Sequence, residues 1–448
     1  MGTHGSQSAY APRYERPHPA HESILIRSVR VIDPLSGLDA QRDVLIRKGQ
    51  VAAIQESISE PADRVIDAAG KVLSPGLIDP HVHLRDPGQT HKEDIESGTH
   101  AAVAGGFTTV CCMPNTSPCL DTPEIVEYIA AKSAREGHCR VFSVAAATQG
   151  RKGERLAEIE LCDKAGAVGF SDDGDVIESA SMMRTVFQTV KSTGKVFMQH
   201  CQELSLTKGA TMHAGSVSMK LGEKGWPREA EELIIERDIR INKSIGCRYH
   251  IQHMSSGNSV ELVARAQSDG LPVTAEASPH HLHLTHEAIE THGTMAKMNP
   301  PLREQSDVEA LRKGVADGTI TILATDHAPH HADEKRNPMA DAPFGIIGLE
   351  SAFSLYHKAL VETGHIDLPK LIELLTINPA KLCNLDSCGI GSIQIGGPAD
   401  LTLIDPDHTW TLNEDHLVGK SRNIPFIGWE LGARPVMTIV GGRVKWEV

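Results

Sequence analysis

Two textures of hydrophobic and polar positions divide the chain. Near the start, "SILIRSVRVID" (23–33) and "RDVLIRKGQVAAI" (42–54) alternate apolar and polar residues between turn formers, the period of half-buried strands. The far end repeats it in "ADLTLIDPD" (399–407) and "RPVMTIVGGRVKWEV" (434–448). Chain ends often lie close together, so this pattern predicts a small β-sandwich domain built from residues 23–70 and 386–448.

Between the ends, short apolar runs alternate with longer stretches suited to helices. The runs are 71–83, 107–115, 140–148, 165–173, 195–203, 248–256, 271–279 and 320–330. In the stretch "PEIVEYIAAKSAREG", Ile125, Val126, Ile129 and Ala130 fall near a 3.6-residue period. Eight strand–helix alternations predict an α/β fold, a (β/α)8 TIM-like barrel over residues 71–385.

Most runs finish in chemically loaded residues: His81 and His83, Asn115, Asp172 and Asp173, His200, His253, Asp326. In such a barrel the C-terminal strand ends converge on one rim, where active sites form. Residues i and i+2 of a strand share a face, so His81 and His83 point the same way. Divalent zinc accepts imidazole nitrogen and carboxylate oxygen, and a catalytic site keeps a position open for water. The four histidines with an aspartate on either side of the barrel make a candidate metal shell. Asp326 could also serve as general base. Asp172 and Asp173 face opposite ways in a strand, and strand geometry alone does not choose between them. Arg85 offers a planar fork suited to a carboxylate. His330, Asn115 and Asn299 could add hydrogen bonds to a substrate. The histidines of "SPHHLHLTHE" (278–287) are assigned structural roles outside the ligand shell.

Composition narrows the function classes. The chain has 448 residues, 40% hydrophobic and 23% charged, with a net charge of −14. That charge disfavours attraction to nucleic acid or anionic lipid, and no apolar run approaches the roughly 20 residues of a membrane helix. Nine cysteines without a CxxC pair suit a reducing, cytoplasmic setting. Residues 1–22 lack the apolar core of a signal peptide and read as a disordered polar tail.

The segment "DPHVHLRDPGQTHKEDIESGTHAAVAGGFTTVCCMPNTSP" (79–118) resembles the dihydroorotase signature of the amidohydrolase superfamily, and "ATDHAPH" (324–330) matches its second signature. "GFSDDG", "QHCQE", "HIQHMSS", "KMNPPLR" and "PFGIIGLE" extend the resemblance, whose texture is that of class I dihydroorotases. The resemblance implies one or two zinc ions held by His81, His83, Asp173, His200, His253 and Asp326. It favours Asp173, the second acid of the "DDG" pattern, and makes Asp326 the catalytic acid/base. Arg85, Asn115, Asn299, His330 and the Phe344–Gly345 segment would contact substrate. The implied reaction is the reversible cyclisation of N-carbamoyl-L-aspartate to L-dihydroorotate in pyrimidine synthesis. Residues 329–345 would form a lid over the site. Two other readings compete. Hydantoinases and allantoinases share the barrel but generally carry a carboxylated lysine after the fourth strand, where this chain has "GFSDDG". A non-catalytic partner of aspartate transcarbamoylase would typically have lost metal ligands, and all six stand here. A homo-oligomer, or a complex with that transcarbamoylase, is expected.

Overall fold

The computed structural model describes residues 22–448, so the expected polar tail lies outside the described residues apart from Glu22. Eight parallel strands pair in chain order: Leu77–Val82, Phe107–Cys112, Arg140–Ala145, Gly169–Ser171, Val196–Gln199, Arg248–Ile251, Val273–Ala277 and Ile322–Leu323. The ring closes through a parallel bridge between Val82 and His327, and His83 N–H donates to His327 O at 2.9 Å. The Asp79 carboxylate reinforces the closure by accepting from the backbone N–H of Thr325 at 3.1 Å and of His81 at 3.0 Å. Every expected apolar run thus becomes a barrel strand.

One run divides. Val72–Pro75 joins the sheet built by the chain ends, and Leu77–Val82 enters the barrel. The turn between them is Gly76, where a Cβ would collide with the Thr108 side chain. Only glycine lets the two structures approach so closely.

Both chain ends build one hydrogen-bonded sheet of eight strands. Its order runs Arg443–Glu447, Glu430–Val440, Leu401–Thr411, Val72–Pro75, Ile24–Asp33, Leu38–Arg47, Gln50–Gln55, and Arg64–Asp67 also pairs with Ile24–Asp33. An irregularity between Ile26 and Val29 lets that strand serve both Arg64–Asp67 and Val72–Pro75. Ile24, Ile26, Val31, Val44, Leu401 and Ile439 bury its apolar face. Arg140 of the barrel pairs with buried Asp400, its second guanidinium nitrogen at 3.0 Å, and locks the sheet against the barrel.

The helices outside the barrel follow local rules. Ala180–Thr193 begins where Ser179 Oγ accepts the Met182 N–H, and stops at Gly194, whose φ of +72° suits glycine. Met183, Val186, Phe187 and Val190 form its buried stripe, each contributing about 1.5–3 kcal/mol by leaving water. No helix of the described residues is long and apolar enough to cross a membrane.

Candidate active site at the barrel rim

His81 ends the first barrel strand and His83 follows it, and both face the axis as their spacing requires. His81 Nδ1–H donates to Glu276 Oε1 at 2.5 Å. That bond turns its Nε2 toward two carboxylates, Asp173 Oδ1 and Asp326 Oδ1, each at 3.4 Å. His83 Nε2 lies 2.9 Å from Asp326 Oδ1, and its Nδ1 is 2.9 Å from Asn115 Oδ1. Across the rim, His200 Nδ1 approaches His253 Nε2 to 2.8 Å, and both nitrogens lie within 4 Å of Asp173 Oδ1. His200 Nε2–H donates to Gln202 Oε1 at 2.9 Å, leaving Nδ1, on the His253 side, as its unprotonated nitrogen. All six side chains are buried.

Asp172 and Asp173 divide as their alternation demands. Asp172 turns away and accepts the backbone N–H of Ala147 at 2.9 Å and of Thr148 at 3.0 Å, together with the Thr148 hydroxyl. Asp173 alone faces the histidines. Arg151, which the sequence does not single out, steadies it by donating to the Asp173 carbonyl.

The electrostatics show what this cluster requires. Burial would raise the Asp173 pKa, but His81 and His253 hold it well below the carboxylate range. Burial works to lower His81, yet Glu276, Asp173 and Asp326 outweigh it and hold it well above the ordinary imidazole value. His200 is pushed down to about 4 by burial and by the neighbouring His253. Carboxylates thus converge on buried imidazoles, and His81 Nε2 is buried without a hydrogen-bond partner among the described residues. An orphaned nitrogen aimed at two carboxylates fits a divalent cation of the kind imidazole and carboxylate select. Two triads can hold one, His81–Asp173–His253 and His81–His83–Asp326.

The supports of this shell are mostly invisible in the sequence. Glu276 also accepts from His250 Nε2 at 2.9 Å and from the His253 backbone N–H at 3.1 Å, so one carboxylate orients one imidazole and fixes the backbone of another. Its signal was a lone acid inside the apolar run "LPVTAEASP", since an unpaired glutamate is rarely buried. Arg85, His253 and Asp326 all adopt left-handed backbone, with φ of 58°, 30° and 48°. Such strain in non-glycine residues persists where the surroundings over-determine it.

A cavity of about 350 Å³ opens over the cluster, and Arg85, Asn115, Asn299, His330, Phe344 and Gly345 all line it. Arg85 spends Nε on Pro329 O at 3.1 Å, and one of its terminal nitrogens lies 3.3 Å from His330 Nε2. Burial lowers the Arg85 pKa to about 10, so it stays charged. Burial and the adjacent Arg85 and Lys92 cations push His330 far below the imidazole range, so it is neutral. Asn299 Oδ1 is buried without a partner. The Gly345 N–H is already given to Lys297 O at 3.0 Å, so Gly345 shapes the wall and offers no donor. A Cβ there would lie 2.7 Å from Ala328 O and 2.8 Å from His330 Cδ2. His281 and His283 donate to the carbonyls of Pro300 and Leu355, matching the structural role expected for that histidine tract.

A closed parallel barrel with paired histidines on its first strand, further histidines on the fifth and sixth, and an aspartate after the eighth defines a hydrolase of the amidohydrolase superfamily. Comparisons with known proteins narrow the class. A family model described as dihydro-orotase-like matches residues 70–259. The dihydroorotase of Geobacter metallireducens is 43% identical over 95% of this chain and 100% of its own length. That of Syntrophotalea carbinolica is 44% identical over 95% of this chain and 99% of its own. Among solved structures, the L-hydantoinase (dihydropyrimidinase) of Arthrobacter aurescens superposes with a TM-score of 0.85 at 27% identity, covering 95% of this chain and 96% of that one. The chain belongs to the dihydroorotase family of cyclic amide hydrolases.

Proposed function

We propose that the rim residues carry the dihydroorotase reaction, the reversible closure of N-carbamoyl-L-aspartate to L-dihydroorotate, in the roles that follow. The carrying observation is the placement of Asp326, which lines the cavity and touches the His83 imidazole while Arg85 and His330 face it from the same wall. His81, His83, Asp173, His200, His253 and Asp326 would hold one or two zinc ions. A bound zinc would supply Lewis acidity at the scissile carbonyl and bring the pKa of the attacking water to about 7.

The protein groups do the rest. The free donors of Arg85 hold the substrate carboxylate, and the fixed guanidinium plane sets the ring's orientation. Neutral His330 beside it adds a hydrogen bond without competing charge. Asn299 Oδ1, lacking a protein partner, accepts a ring N–H. In hydrolysis the Asp326 carboxylate takes the proton of the attacking water and delivers it to the leaving amide nitrogen, and in cyclisation it runs the transfer backward. Asn115 lines the pocket and orients His83.

The barrel, residues 77–385, is the catalytic domain, and residues 23–75 with 386–448 form a second unit that supports it, the boundary moving from residue 71 because Val72–Pro75 pairs in the sheet of the chain ends. Free cysteines throughout the described residues suit the cytoplasm. Met219, 78% exposed, lies in the same segment as exposed Leu206, Leu221 and Leu233, which supports a protein contact there. The partner is a second copy of the chain or aspartate transcarbamoylase.

The test is dihydroorotate hydrolysis by the purified, zinc-loaded chain, beside hydantoin and allantoin and an Asp326→Asn control. Dihydroorotate turnover that falls about 10²–10⁴-fold in the control supports the assignment. Turnover of hydantoin or allantoin without dihydroorotate refutes it.

A further inference from the structure

Two lysines beside the cavity are buried with no carboxylate in contact. Lys335, the last residue of the short helix Ala332–Lys335, is 1% exposed, and Lys297 is 2% exposed. Neither ammonium has a carboxylate within ion-pair distance among the described residues. Their partners are five backbone carbonyls. Lys335 Nζ donates to Pro343 O and Gly345 O, each at 3.0 Å, and reaches Lys297 O at 3.4 Å. Lys297 Nζ donates to Ala342 O at 2.6 Å and to Met339 O, and sits 4.3 Å from the centre of the Phe344 ring. Burying a charge is costly unless its hydrogen bonds are satisfied, so such groups persist where they hold something in place.

What they hold is one wall of the substrate cavity. Four of the five carbonyls belong to residues 339–345, the stretch that ends in Phe344 and Gly345. The fifth belongs to Lys297, whose carbonyl also receives the Gly345 N–H. Gly345 O is shared between Lys335 Nζ and Asn423 Nδ2, and Asn423 Oδ1 accepts the His330 N–H. A chain of contacts therefore runs from Lys335 through Gly345 and Asn423 to His330. Residues 339–345, the end of the 329–345 segment expected to close over the site as a lid, are tied from beneath by these bonds.

We propose that Lys335, with Lys297 as its second support, is a positioning residue that clamps the Phe344–Gly345 wall against His330 and so sets the affinity for substrate. It touches neither the metal cluster nor the reacting atoms, so its loss acts on substrate binding and leaves the proton chemistry of Asp326 in place. Burial and the nearby Lys297 ammonium push the Lys335 pKa down to about 7, against which the carbonyl acceptors favour the charged form. The inference rests on the dihydroorotase reading for its substrate, but the clamp can be tested without it.

The experiment compares wild type, Lys335→Met and Lys297→Met. Readouts are steady-state dihydroorotate hydrolysis, zinc content and hydrogen–deuterium exchange of peptides spanning residues 336–346. The clamp predicts KM raised tenfold or more with kcat within threefold, unchanged zinc, and faster exchange confined to that segment. A KM within twofold of wild type in both variants overturns it, as does a fall in kcat at constant KM, the mark of a general structural role. If Lys335→Met does not fold, Lys297→Met, which frees Met339–Ala342, decides by the same criteria. A wild type silent on dihydroorotate would refute the reaction assignment and leave exchange to decide: faster exchange in the variants supports the clamp, and unchanged exchange overturns it.

Discussion

Replacing Glu276 by glutamine tests the metal shell through a residue that is not itself a ligand. Its carboxylate accepts three N–H groups: His81 Nδ1 at 2.5 Å, His250 Nε2 at 2.9 Å and the His253 backbone at 3.1 Å. Alanine would strand all three, at about 1–3 kcal/mol each, and threaten folding. Glutamine need strand none. Its oxygen can keep His81 and His253, while its amide faces His250, which can change tautomer because its Nδ1 lies 2.9 Å from the Thr274 hydroxyl. The fold is thus retained, and what disappears is the negative charge behind His81. Loss of such an outer partner typically weakens metal binding about 10–100-fold, equivalent to about 1.4–2.8 kcal/mol. The assay is competition for zinc against a chromophoric chelator at fixed pH, with circular dichroism to establish folding. A folded Glu276→Gln variant binding zinc within threefold of wild type would refute the reasoning.

Two further outcomes follow from the same geometry. Asp173→Ala should abolish high-affinity zinc binding, whereas Asp172→Ala should bind zinc yet lose about 1–3 kcal/mol of stability, because the N–H groups of Ala147 and Thr148 lose their acceptor; zinc titration and urea unfolding of both variants check this. Asp238 is buried against Tyr249 OH and Gln199 Nε2, each at 3.2 Å, and burial raises its pKa to about 6 despite the Arg237 cation. The folded chain therefore holds a proton that the unfolded chain releases between about pH 4 and pH 6. Stability from this group is lost as pH rises through that window, by up to about 3 kcal/mol. Urea midpoints at pH 4.5, 5.5 and 6.5 should show wild type losing ground to Asp238→Asn across the series, and the opposite trend would contradict the assignment.

Much of the architecture was legible because barrel strands announce themselves locally. An apolar run ending in a histidine or an aspartate marks both a buried strand and the end that reaches the rim, and His81, His83, His200, His253 and Asp326 all lie at such ends and meet there. Runs were less informative about their own limits. The stretch 71–83 looks continuous but serves two sheets, and only the close packing of Gly76 on Thr108 explains the break. Phe344 and Gly345 are implied by resemblance alone, since neither carries a side chain whose chemistry advertises a site.

What the sequence by itself determined is the order of the strands, the two-ended sheet and the identity of the groups delivered to the rim. Period and composition are properties of neighbours along the chain, and they survive without a fold. Tertiary structure alone decided that Glu276 orients His81 from 195 residues away, that Asp79 closes the barrel onto Thr325, and that two buried lysines tie down the wall of the cavity. The His81, Thr325 and Lys297 bonds join segments tens to hundreds of residues apart at about 3 Å, and no local pattern encodes that proximity.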